Sequence, residues 1–151
     1  MIASLVRTSV VAVVVSAAPA FAQPSPTVAG HIKVASGAVF VVRAGTQTPA
    51  QAGEPIFEAD TVKTGPDGRL GITLKDDTRV SLGPGSEMRV SRFAYAPAEG
   101  RLGLVLSVFH GVVAYVSGRI ARLSPDSIRL ETPAAVMGVR GTTLALRVTA
   151  P

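Results

Sequence analysis

Few side chains in this sequence could do chemistry, and their spacing decides how to read them. His31 and His110 lie far apart, and neither has a neighbour at metal-ligand spacing, so both read as ordinary turn or surface histidines. Two acidic pairs stand out, Asp76 with Asp77 and Glu54 with Glu58. Paired carboxylates act as acid and base only in a cleft that perturbs a pKa. At a hairpin tip they are expected to be solvated turn formers. Gly83-Pro84-Gly85-Ser86-Glu87 sets a serine among glycines, but it is not a nucleophile elbow and no His/Asp set accompanies it. The glycines from Gly65 to Gly71 lack the strand-to-helix setting of a phosphate loop. No catalytic residue, cofactor or metal ligand is assigned, and catalysis is not expected.

Arg140 is the exception. It stands in Gly138-Val139-Arg140-Gly141-Thr142, followed at once by a run in which Thr143, Ala145 and Arg147 alternate with Leu144, Leu146 and Val148. That is the period of a half-buried strand. Glycines reach backbone conformations closed to other residues and let another chain approach closely. Arg140 is therefore expected on a constrained bend leading into a closing strand, where a guanidinium can grip a carboxylate through two donors.

The elements that position these residues read as short strands. Gln23 to Gly30 is a Pro-containing tether, and His31 to Arg43 is two strands around Ser36-Gly37. Ala44 to Pro55 reads as a loop. Strand signals then alternate with turns at Thr64-Gly65-Pro66-Asp67-Gly68, Lys75-Asp76-Asp77 and Gly83-Pro84-Gly85-Ser86. Pro presets one turn dihedral and Gly supplies the positive one. Phe93 to Gly100 reads as a loop or bulged edge. Leu102–Val108 and Val112–Val116 read as separate strands divided at His110-Gly111, and Ile120–Leu123 as a short one. The spacing predicts a single all-β domain of about ten short strands, as in sandwiches, barrels and short-runged solenoids.

The 151 residues suffice for one domain, with net charge +5, no Cys and no Trp. The first 22 residues are read as a secretory signal peptide: Arg7, an apolar run from Val10 to Ala18, then small residues at Ala20 and Ala22, with cleavage between Ala22 and Gln23. The run is short for a spanning helix, so no stable transmembrane segment is expected after cleavage. The expected address is the periplasm, and without cysteine no disulfide staples the fold. The basic residues are scattered, which argues for a solvated surface and against nucleic acid.

Several pieces in order resemble the FecR-type periplasmic domain family. Glu58-Ala59-Asp60-Thr61-Val62-Lys63-Thr64 is similar to its Gly-Asp-x-Ile-x-Thr segment, and Asp76-Asp77-Thr78-Arg79-Val80-Ser81-Leu82 to its Asp-Gly-Thr hairpin. Phe109-His110-Gly111-Val112-Val113 resembles its central strand. Thr132-Pro133-Ala134 and Gly138-Val139-Arg140-Gly141-Thr142 resemble its closing Thr-Pro-x-Ala and Gly-Val-Arg-Gly-Thr signature. The resemblance runs from about Gly37 to Val148. It divides the chain into a signal peptide at 1–22, a lead-in and first strand at 23–36, and a β domain at 37–148. Ala59 and Asp77 stand where the family tends to have Gly, and Leu144 where an aromatic is common.

The resemblance implies a jelly-roll-like or twisted β-solenoid-like arrangement. It also implies kinship with the periplasmic part of membrane-spanning anti-sigma regulators, which receive a signal from an outer-membrane receptor. The present sequence has no cytoplasmic segment before its apolar run and stops at Pro151, so it is expected to be the domain alone, exported and free. The expected function is a non-enzymatic protein-interaction module for signalling or envelope scaffolding, with a protein partner in the envelope. The alternative is a cell-wall or carbohydrate-binding module, with peptidoglycan as partner and Tyr95, Tyr115 and Phe93 as its aromatics. A hydrolase has the least support. For Arg140 two readings stand: a contact for an acidic partner, or a structural residue that satisfies backbone carbonyls or pairs with a carboxylate such as Asp60. The structural one is preferred, because a residue shared by a family of diverse partners is better explained by the fold.

Overall fold

A computed structural model describes residues 17–141 and 143–150. Residues 1–16 of the expected signal peptide, and Thr142 of the closing motif, lie outside the described residues. The described residues form twelve strands: β1 (Val28–Ser36), β2 (Val39–Arg43), β3 (Thr46–Pro49), β4 (Pro55–Phe57), β5 (Thr61–Thr64), β6 (Arg69–Leu74), β7 (Arg79–Leu82), β8 (Glu87–Ala96), β9 (Arg101–Val116), β10 (Ile128–Glu131), β11 (Val136–Gly138) and β12 (Thr143–Val148). They form one curled sheet in the order β3-β2-β5-β8-β9-β7-β6-β1-β4, with β10 and β12 also beside β9. The all-β expectation holds.

The curl turns on β9, the longest strand at 16 residues. Its first half pairs with β8 and, in parallel, with β10. Its second half pairs with β7 and β12. The two halves of the sheet thereby bring their alternate side chains into one core, including Ile32, Ile72, Val80 and Tyr115 from one and Val62, Met88, Val90 and Leu106 from the other. Strand alternation does the sorting, since successive side chains point to opposite faces.

Between the halves the chain bends at Gly111, whose φ is +100°. A Cβ there would lie 2.4 Å from Ser86 Cα, so only glycine fits. Ser86 is fully buried, and its Oγ accepts from Val112 N at 2.9 Å. Thr64 Oγ1 accepts from Ser86 N at 2.8 Å and donates to Gly83 O at 2.7 Å. The serine weighed as a nucleophile is thus a strut tying two turns to the bend.

Five local expectations are corrected. The tether expected over Gln23 to Gly30 ends early, because Val28 to Gly30 already belong to β1 and pair with β4 and β6. The His110-Gly111 break does not end a strand: Leu102–Val108 and Val112–Val116 are parts of β9. The expected loop Ala44 to Pro55 contains β3, recruited by pairing with β2. Phe93 to Ala96 continues β8, held by register with Leu102 to Leu104 of β9. Ile120–Leu123 is not a strand but lies in a short helix, α1 (Arg119–Leu123). Its first N–H groups find acceptors across the fold: Arg119 N donates to Asp76 O at 2.7 Å and Ile120 N to Asp76 Oδ2 at 3.2 Å. Orphan donors at a helix start need such partners, and here they come from a turn distant in sequence.

Candidate interaction surfaces

The chemistry-bearing residues divide into those the fold consumes and those it presents. Asp76 is consumed. It is fully buried, not a solvated turn former, and its carboxylate accepts from Thr78 Oγ1 at 2.7 Å, Thr78 N at 3.2 Å and Ile120 N. Its neighbour Asp77 is exposed and pairs with Arg119 at 2.9 Å. Glu58 accepts from Phe93 N at 2.8 Å. His110 joins Gly85 O at 2.9 Å and Glu87 Oε2 at 3.1 Å, bracing the turn before β8. Among the described residues no three His, Cys, Asp or Glu side chains gather as a metal site.

Asp60 is consumed as well, by a partner the sequence reading did not single out. Arg43 at the end of β2 grips it through Nε at 2.8 Å and Nη2 at 2.6 Å, and Phe57 N donates to it at 2.9 Å. The guanidinium lies over the Phe57 ring, 4.3 Å from its centroid. The hydrogen bond to Asp60 is the main reason that the Arg43 pKa is raised. Only the end-of-strand position of Arg43 hinted at this role.

Arg140 does not pair with Asp60. Its Nη2 meets Asp126 Oδ1 at 2.8 Å, and both side chains are about four-fifths exposed, at 79% and 81%. Gly141 has φ +56°, which bears out the bend. A Cβ at Gly138 or Gly141 would meet nothing within 4 Å, so close approach is not why glycine stands there. Val139 anchors the segment in the core. Thr132 and Pro133 sit in the turn between β10 and β11, where Thr132 Oγ1 accepts from Ala135 N at 3.1 Å. Ala22 and Gln23 are exposed and outside any strand.

The aromatic residues divide the same way. Tyr115 is fully buried, and burial is the first cause pushing its pKa up, with the Asp76 charge adding to it. Phe93 is buried. Tyr95 lines an open groove of about 820 Å³ with Glu58, Arg92 and Arg101. Of the three rings weighed for a sugar platform, Tyr95 alone is not buried.

The molecule also presents strand edges. Among the described residues β12 pairs only with β9 and β11 only with β10. The geometry defines an all-β domain whose polar motifs hold the scaffold together while its edges and faces stay open. The family model described as FecR protein matches residues 60–150, more than half of the chain. The chain belongs to the FecR family, a regulatory and non-enzymatic one associated with envelope signalling. The match starts at Asp60, so β1 to β4, with Arg43, lie outside it. Comparison with curated proteins and with solved structures found no match in either.

Proposed function

We propose that this protein is an exported, non-enzymatic module of the cell envelope that binds another protein in a signalling or scaffolding role. In this reading the segment to Ala22 is removed on export and the domain works in the periplasm. The observation that carries it is the open edge of β12, six residues long and paired on one side only. A free edge offers a row of backbone donors and acceptors to an incoming strand. Membership of a regulatory family supports the same reading. Among the described residues no helix is long and apolar enough to cross a membrane. Burial of Tyr115 removes one of the few aromatics that a carbohydrate role would use.

The test is affinity capture from the envelope fraction of the native host, with mass spectrometry of what is retained. One dominant protein partner is the expected result. No partner, with retention on purified peptidoglycan instead, would replace this reading with the cell-wall one.

A further inference from the structure

A second surface carries a more specific assignment. It is the outer face of the half-sheet β1-β6-β7-β9-β12. Register places Val34 of β1 beside Gly71 of β6, Gly71 beside Ser81 of β7, Ser81 beside Ala114 of β9, and Ala114 beside Ala145 of β12. The result is a floor of small side chains across β6, β7, β9 and β12, bordered on β1 by Val34, with a shallow groove of about 390 Å³ over its centre.

The rows on either side each carry arginine and no acid. One runs through Thr73, Arg79, Val116 and Thr143. The other holds Arg69 on β6, and Val112 opposite Arg147. Lys33 is exposed at the bulge in β1. No strand of this half-sheet has a carboxylate at an outward position. The acids two residues before Arg69 and Arg79 have partners elsewhere: Asp67 accepts from Ala38 N at 3.3 Å, and Asp77 pairs with Arg119. Among the described residues Arg69, Arg79 and Arg147 form no ion pair with a carboxylate.

We propose that this face docks an acidic, extended segment of a partner protein, with carboxylates on the arginines and a small apolar side chain on the floor between them. The proposal rests on the reading of the chain as an interaction module and names the chemistry of its partner. Spacing supports it. Arg79 lies opposite Thr73, four residues along β6 from Arg69, which is about 13 Å at strand rise. An extended peptide puts residues i, i+2 and i+4 on one face, so glutamates four apart span the same ~13 Å with an apolar residue midway. Arginine suits such a contact because its planar fork takes a carboxylate through two donors. A lipid surface fits less well. Membrane-surface segments insert apolar side chains, whereas this floor is recessed, and Val34, 56% exposed, is the one large apolar residue that stands out from it.

The experiment uses the protein recovered from the periplasmic extract of an expressing cell. The probe is a synthetic peptide repeating Glu-Thr-Val-Thr, with a Lys-for-Glu peptide and phosphatidylglycerol vesicles as comparisons. Amide chemical shifts locate the contact and fluorescence anisotropy measures it. The expected result is saturable binding that weakens with salt, with shifts confined to β1, β6, β7, the second half of β9 and β12. Arg79→Glu and Ser81→Glu, both at exposed positions, should each weaken it at least tenfold while the spectrum stays that of a folded protein. No binding, equal binding of the Lys peptide, shifts on β8 or β10, indifference to both substitutions, or binding to vesicles alone would each overturn the assignment. If the peptide fails while Ser81→Glu protein still retains an envelope partner, the face is wrong and the interaction-module reading stands. If nothing is retained from the envelope, that reading falls too.

Discussion

Of the three arginine–aspartate pairs among the described residues, Arg43–Asp60 at 2.6 Å and Arg140–Asp126 at 2.8 Å are nearly equal in length. Their surroundings differ. Asp60 is 1% exposed and has three N–H donors around it, while Arg43 is half in water and half on the Phe57 ring. Arg140 and Asp126 are both solvated. An ion pair in water exchanges one set of good interactions for another and gains little. A buried carboxylate has lost its water, so its protein donors become obligatory. The sequence drew attention to the pair that matters less for the fold.

The largest effect should come from Arg43→Ala, which leaves the Asp60 carboxylate buried without its main partner. A cost of about 3 kcal/mol is expected by urea unfolding, the low end for a broken buried pair because Arg43 is itself half exposed. Asp60→Ala removes the charge and orphans Phe57 N–H, for about 2 kcal/mol. The double variant should cost no more than Arg43→Ala alone, since both substitutions remove one shared interaction. If the two costs simply add, the pair is not a unit and the comparison fails.

Alkaline titration separates the Arg43 pair from the buried phenol of Tyr115. The Tyr115 pKa is raised above 10.0, chiefly by burial. The folded state therefore favours the protonated phenol, and its contribution is fully present below the unfolded value and lost as pH rises through the folded one. Unfolding above pH 10 should be steep in the parent protein and flatter in Tyr115→Phe, while Arg43→Ala leaves the slope unchanged. An unchanged slope in Tyr115→Phe would assign the alkaline limb to another group.

A smaller effect is expected beside Asp60. Ala59 has φ +73°, a conformation costing a non-glycine residue about 1–2 kcal/mol, against the greater chain entropy of glycine. Ala59→Gly should therefore stabilise by roughly 0.5–1 kcal/mol, read as a raised Tm. The smallest effect belongs to the exposed pair. Arg140→Ala and Asp126→Ala should each change stability by less than about 1 kcal/mol, and the difference should shrink in high salt while the Arg43→Ala cost persists. A fold that collapses on Arg140→Ala would reverse the ranking.

Much of the fold was legible in the sequence because strands and turns leave local marks. The turns at Gly65-Pro66-Asp67-Gly68 and Gly83-Pro84-Gly85-Ser86 are where their residues put them. Ala59 and Asp77, noted as standing where the family tends to have Gly, both take positive φ, at +73° and +68°. What failed locally had a distant cause. Ile120 to Leu123 has the composition of a strand, yet the Asp76 turn accepts the N–H groups of Arg119 and Ile120, and a helical turn results. β9 runs through Gly111 because Ser86 receives the backbone on the far side of the bend.

The sequence by itself determined the class of the protein: all-β, without cysteine, bearing the signature of its family, with a strand after Gly141 whose alternation is half-buried. Those properties are written in neighbours, two to five residues apart. Only the tertiary structure decided which aspartate is buried, which arginine answers it, and which basic residues share a face. Arg43 and Asp60 are 17 residues apart, and Arg69, Arg79 and Arg147 come from three strands. The energy of such groupings depends on how completely folding removes water from each side chain, and no stretch of sequence states that quantity.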